Sequence, residues 1–199
     1  MAKKIILASG SSIRQHMLDR AGVDFDVQVA RVDEDMIRDA LLAEEASARD
    51  IADTLAEMKA RKVSDRNPGA LVIGCDQVLS FENRLLTKPK TRDHAASQLR
   101  ELRAKRHQLL SAAVICEDGQ PIWRFVGTVR LLMRDFSDAF LDGYLDRNWP
   151  GISDSVGGYK LEEEGVRLFS RVEGDYFTVL GMPLLELLSY LTLRGDLQK

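Results

Sequence analysis

Cysteine is scarce in this chain. Cys75 and Cys116 are the only two among 199 residues, and both lie in apolar runs. They read as reduced core thiols of an intracellular protein rather than as a disulfide framework. An excess of one charge is lacking too: 28 Lys and Arg stand against 31 Asp and Glu, for a net charge of −3. That argues against a nucleic-acid polymer as partner, while a small phosphorylated ligand needs only a local set of cations. No apolar run reaches membrane-spanning length, and the polar stretch Ser9 to Arg14 interrupts the N-terminus too soon for a signal peptide. The expectation is a cytoplasmic protein without a membrane partner. His16, His94 and His107 show no metal-ligand spacing. No Ser-His-Asp arrangement, Walker loop or Gly-x-Gly-x-x-Gly is present, which weakens kinase, GTPase and dinucleotide readings. Repeats, low-complexity tracts and long linkers are absent. The length suits one domain, 1–199, whose core needs neither disulfide nor metal to fold.

What is present begins at the start of the chain. An apolar run, Ile5 to Ala8, within a strand expected over Lys4 to Ala8, breaks into Ser9-Gly10-Ser11-Ser12-Ile13-Arg14, and a helical pattern follows to Ala21. A strand that turns through small hydroxyl residues into a helix leaves backbone N–H groups free to meet an anion, with Arg14 close by. The same serines serve equally as plain helix caps. Phe25 to Val29 alternates as a strand. Ser47 to Val63 is predicted as a helix with Ile51, Leu55, Met58 and Lys62 near one stripe. Ala70 to Cys75 reads as a buried strand ending at Asp76. Asn83 marks a hairpin turn, Thr91 and Ser137 open helices, and Gln108 to Cys116 and Trp123 to Met133 form two antiparallel strands. Gly157 to Leu161 and Val166 to Val172 read as extended, and Pro183 starts a last helix. Alternating strands and helices followed by hairpins predict an α/β fold, a mixed twisted sheet flanked by helices.

Asp76 is the leading carboxylate, because ligands gather at the C-terminal ends of strands in α/β sheets and a buried carboxylate there suits a general base. A turn Asp bonding its own backbone fits the position equally. Lys88, fixed before Pro89, and Lys59, on the alanine-rich helix among Arg61 and Lys62, are candidate phosphate contacts; solvent-facing lysines are the plain alternative. Asp33-Glu34 either supplies a metal ligand or starts a helix.

Several of these pieces, taken in order, resemble Maf proteins. Leu7-Ala8-Ser9-Gly10-Ser11-Ser12-Ile13-Arg14 is similar to that family's opening motif, Leu-Ala-Ser-x-Ser-Pro-x-Arg. Val32-Asp33-Glu34, Leu55-Ala56-Glu57-Met58-Lys59-Ala60, Ile73-Gly74-Cys75-Asp76-Gln77-Val78, Thr87-Lys88-Pro89, Gly157-Gly158-Tyr159-Lys160-Leu161-Glu162 and Val179-Leu180-Gly181-Met182-Pro183-Leu184 match later motifs and span nearly the whole chain. The resemblance implies a nucleoside triphosphate pyrophosphatase with an inosine-triphosphatase-like architecture and a divalent metal, magnesium or manganese. It implies Asp76 as base or metal partner and Glu34 as a metal ligand. Ser9, Ser11, Arg14, Lys59 and Lys88 would surround the triphosphate. A homodimer and a role in septum formation are expectations of the same origin.

The departures bear on the substrate. Ser12 replaces the motif proline, Thr87 the glycine before Lys88, and Ala104 a glycine before His107. Gln77 and Glu162 resemble the branch acting on 7-methyl-GTP rather than the pyrimidine branch, but Ile13 stands where the former commonly has tryptophan. Ile13, Gln77 and Glu162 are therefore the candidate specificity residues. The alternatives are a dTTP/UTP pyrophosphatase, or a nucleotide-binding regulator of septum formation with little catalysis.

Overall fold

Residues 3–198 are described by a computed structural model. Seven strands form one mixed sheet in the order β2-β1-β3-β5-β6-β7, with β4 on β3. β1 (Ile5–Leu7) lies parallel to both β2 (Asp26–Val27) and β3 (Leu71–Phe81). β5 (Arg106–Glu117) and β6 (Gln120–Met133) form a long antiparallel pair beside β3, with β7 (Phe169–Glu173) at the far edge. β4 (Arg84–Leu86) folds back on the end of β3 through Glu82 and Asn83, both at positive φ, as a tight hairpin requires.

Both faces of the central strands are buried, and successive residues of β3 sort to opposite faces. Val72 and Val78 pack with Ile51, Leu55 and Ala56 of helix α3 (Ala48–Ser64). Leu71, Ile73 and Cys75 pack with Leu18 of α1 (Ser12–Arg20) and Leu187 and Leu191 of helix 184–194. The far end of the sheet, including Leu79, Leu109 and Val129, is covered by helices 92–102 and 138–148. Both cysteines are buried free thiols.

Two expectations are corrected. First, β3 does not stop at Asp76; it runs on to Phe81 because β5 pairs with it from Val72 to Ser80. What stops, at Ile73, is the parallel pairing with β1. Second, Gly157 and Gly158 both take positive φ in a turn, and residues 164–168 coil into a 3₁₀ turn, so only 169–173 of that region is strand. The helix start expected as one alternative at Asp33-Glu34 is present: α2 (Glu34–Ala43) follows Asp33, whose side chain accepts from Met36 N–H.

Candidate active site

Between Ile73 and Leu79 the outer edge of β3 has no strand partner among the described residues: β1 has ended and β4 has not begun. Arg14 takes over part of that edge, donating from Nη1 to the Cys75 carbonyl at 3.1 Å. The gap opens into a cavity of about 1190 Å³ bordered by α1, the start of α2, Lys59, residues 85–90, residues 153–163 and the turn 176–180. A site of this volume accommodates a nucleotide-sized ligand.

Asp76 falls on the α3 side of β3, two residues past Gly74. A Cβ at Gly74 would lie 2.1 Å from the Ala56 carbonyl oxygen and 2.7 Å from the Ala60 nitrogen. Glycine facing two alanines therefore lets α3 lie against β3 and carries Lys59 onto the strand. The stripe expected on α3 is corrected accordingly. Ile51, Ala52, Leu55, Ala56, Lys59, Ala60 and Val63 are buried, while Met58 and Lys62 face out. The alanines, not Met58, define the face.

Lys59 Nζ donates to Asp76 Oδ1 at 2.6 Å and lies 2.8 Å from Glu34 Oε1. Lys59 is 7% and Asp76 6% exposed. Burial raises the Asp76 carboxyl above its ordinary range, more strongly than Lys59 and Arg14 lower it. Burial acts on Glu34 in the same sense. There the charge and hydrogen bond of Lys59, with Lys88 and Arg14, prevail, and its carboxyl titrates low. One carboxylate is thus set toward accepting a proton and the other toward staying charged. Both direct oxygens at a single cationic point, at present the lysine ammonium.

The expected phosphate contacts divide. Ser11 is the N-cap of α1 yet makes no side-chain cap bond, so the first-turn N–H groups remain uncapped beside the cavity. Lys88 is exposed on the cavity wall, and its loop is anchored by Gln98, which donates to the Thr87 carbonyl at 2.9 Å. Ser9 is buried and serves as a support: its Oγ accepts from Ser11 N–H and Arg14 Nη1, each at 3.3 Å. Arg14 also donates from Nε to the Gly181 carbonyl at 2.8 Å. Gly181 has a φ of +99° and its absent Cβ would press on that guanidinium, so glycine serves both the turn and the arginine.

Of the specificity candidates, Ile13 lines the cavity half-buried. Gln77 points to the opposite face from Asp76. Its Nε2 donates toward Ser111 Oγ at 2.9 Å and the Thr178 and Val179 carbonyls at 3.2 and 2.9 Å. Carbonyls only accept, so the amide orientation is fixed. That nitrogen is committed to the framework, and the oxygen is what Gln77 can offer a base. Glu162 stands at the cavity rim; partial burial of its carboxyl, then the charges of Glu163 and Asp154, raise its titration. Sequence reasoning missed Ser111 and Thr178, which seat Gln77, and Asp35, Arg38 and Lys90, which line the cavity. Only the four-residue spacing of Glu34 and Arg38 on a helix hinted at the last group.

A mixed α/β sheet with a buried carboxylate, a buried lysine and further cations around a nucleotide-sized cavity defines a class: an enzyme acting on a phosphorylated small molecule. Comparison with known proteins narrows it. The family model for Maf-like protein matches residues 4–193, and the chain belongs to that family. A protein named nucleoside triphosphate pyrophosphatase from Roseobacter denitrificans is 65% identical over 199 residues, the whole of both chains. One of the same name from Ruegeria pomeroyi is 62% identical over 98% of each. A 7-methyl-GTP pyrophosphatase from Brucella abortus is 42% identical over 96% of each. A solved HAM1 protein from Coxiella burnetii superposes at a TM-score of 0.42 and 15% identity, covering 67% of this chain and 74% of that one. That likeness is too distant to argue from. No helix among the described residues is long and apolar enough to cross a membrane.

Proposed function

We propose that this protein is a nucleoside triphosphate pyrophosphatase acting on a guanine-type nucleotide, releasing a nucleoside monophosphate and pyrophosphate. The observation that carries the reading is Asp76: a buried carboxylate of raised basicity, held by Lys59, on the wall of a cavity that also presents Arg14 and Lys88. The names of the relatives support the same reaction.

In this reading Asp76 orients a water molecule and takes its proton as the water oxygen attacks the α-phosphorus. Oδ1 is engaged by Lys59, which leaves Oδ2 to face the water. The bond from the α-phosphorus to the bridging oxygen breaks, and pyrophosphate leaves with that electron pair. Lys59, Lys88 and Arg14 neutralise the charge that accumulates on it. A divalent cation fits the donor set. Asp76 and Glu34 already converge on one positive charge, and no cluster of three His, Cys, Asp or Glu exists among the described residues. Two carboxylates completed by phosphate oxygens and water is how magnesium is commonly held. When bound, it would supply further neutralisation of the triphosphate.

The base preference rests on Glu162. An ionised carboxylate only accepts, and guanine presents its N1–H and amino group side by side, whereas uracil and thymine present one N3–H. Gln77, with its donor committed, adds an acceptor at most. Ile13 gives an apolar contact but no stacking face for a methylated, cationic ring. Rates with GTP, 7-methyl-GTP, UTP and dTTP test this. Guanine nucleotides should lead, Glu162→Gln should lower both guanine rates relative to UTP, and Ile13→Trp should raise the 7-methyl-GTP to GTP ratio. Faster turnover of UTP and dTTP by the unaltered protein would replace this reading with a pyrimidine-nucleotide enzyme.

A further inference from the structure

The wall of the cavity beyond Lys59 repeats its own pattern one step outward. On α2, Arg38 follows Glu34 by four residues, one helical turn of about 5.4 Å along the same face. On the facing loop, Lys88 and Lys90 are exposed on either side of buried Pro89, and both border the cavity. The inner step holds Glu34, Lys59 and Lys88; the outer step holds Asp35, Arg38 and Lys90. All six line one cavity.

Asp35 ties the outer step together. It forms an ion pair with Arg38 and lines the same stretch of cavity wall as Lys90. A plain surface pair on a helix would leave both side chains in solvent and contribute little. Here the Arg38 side chain is only 18% exposed, against 71% for Asp35, although no residue of α2 is buried. The arginine is laid along the cavity wall rather than into water. Asp39 borders the same region, and with Asp35 it balances the formal charge of Arg38 and Lys90, so what the outer step adds is hydrogen-bond donors rather than net charge.

A triphosphate needs such a step. At the inner step Arg14 is already bonded to the Gly181 and Cys75 carbonyls and Lys59 to Asp76 and Glu34, which leaves few donors for the distal phosphates. Guanidinium grips phosphate oxygens in a planar fork, and ammonium does so as a point charge. We propose that Arg38 and Lys90, steadied by Asp35, form an outer phosphate subsite that grips the distal phosphates of the nucleotide, the pair that leaves as pyrophosphate. This rests on the triphosphate reading above, and it adds a second set of contacts to the leaving group beyond Lys59, Lys88 and Arg14.

The test is calorimetric titration of the protein with inorganic pyrophosphate and, separately, with GMP. Variants are Arg38→Gln, Lys90→Gln, the double variant and Arg38→Lys, with Lys62→Gln as control because Lys62 is exposed and outside the cavity. Pyrophosphate binding should weaken about tenfold in Arg38→Gln and further in the double variant. GMP binding should stay within about twofold, Arg38→Lys should recover part of the loss, and Lys62→Gln should match the unaltered protein. Melting temperatures should move little, since Lys90 is exposed and the ionic partner of Arg38 is the exposed Asp35 on the same helix, not a core residue. Unchanged pyrophosphate binding in the double variant overturns the subsite, as does equal weakening of GMP. Hydrolysis of GTP by the same preparations reports separately on the triphosphate reading.

Discussion

At the scale of single residues, Asp76 and Lys59 face each other across 2.6 Å in a buried setting, and each has a distinct expected signature. Asp76→Asn keeps the shape and one acceptor for Lys59 but removes the proton-accepting charge, so kcat should fall by more than tenfold while the fold persists. Because burial holds the Asp76 carboxyl above its ordinary value of 3.8, turnover should rise with pH through a limb lying above that value. A limb at or below it would remove Asp76 from the role of base. Lys59→Ala and Lys88→Ala should each lose a charge-assisted contact, typically about 1.5–3 kcal/mol or roughly 10- to 100-fold in kcat/KM. Lys62→Ala, which removes only a bond to the Arg31 carbonyl, should stay near the unaltered rate. Equal small effects at all three would make them ordinary surface charges. The candidates Arg14, Lys59, Asp76, Lys88 and Glu34 were legible in the sequence because motif order singled them out. Ser9 as a support for Arg14, and the commitment of Gln77 to Ser111, Thr178 and Val179, were not. Gln77 reaches across the sheet to Ser111 and about a hundred residues along the chain to Thr178 and Val179, which no local spacing encodes, and the short Ser9–Arg14 contact has no spacing signal that tells a support from a ligand contact.

At the scale of elements, the contact of α3 with β3 sets the site. A Cβ at Gly74 would meet backbone atoms of Ala56 and Ala60 well inside contact distance, and backbone cannot rotate away as a side chain can. Gly74→Ala should therefore push α3 off the strand, costing about 1–3 kcal/mol of stability and lowering the melting temperature by several degrees for a chain of this size. Activity should fall further than stability alone explains, since Lys59 moves with the helix. A Gly74→Ala protein with unchanged melting and rate would mean that the close approach is not required. The helices and the long hairpin of β5 and β6 were readable from periodicity and caps, with Ser47, Thr91 and Ser137 each accepting the expected cap bond. The continuation of β3 past Asp76 was not, because β5 imposes it. The glycine turn at 157–158 was mistaken for strand because alternation over a few residues cannot reveal positive φ.

At the scale of the whole molecule, the sheet order, and with it the gap on β3, could not be read from the sequence. It depends on which long-range partners win. One group reports on that assembled core. His107 on β5 is 2% exposed and pairs through Nε2 with the Tyr159 hydroxyl at 2.8 Å, and burial depresses its titration to about 4. A depressed value means that the folded state resists protonation. The contribution to stability is full above the unfolded value of about 6.5 and is lost as pH falls through about 4, roughly 3 kcal/mol when complete. Melting between pH 7 and pH 4 should thus decline more steeply for the unaltered protein than for His107→Gln. Parallel declines would show that His107 does not carry this dependence.

The central claim, water attack at the α-phosphorus of a nucleoside triphosphate, is tested most directly by hydrolysis of GTP in ¹⁸O-labelled water with magnesium, the products resolved by ³¹P NMR and mass spectrometry. The account predicts GMP carrying the label and unlabelled pyrophosphate, with both absent in Asp76→Asn. Label in the pyrophosphate, GDP with orthophosphate as first products, or no turnover of any nucleoside triphosphate would contradict it.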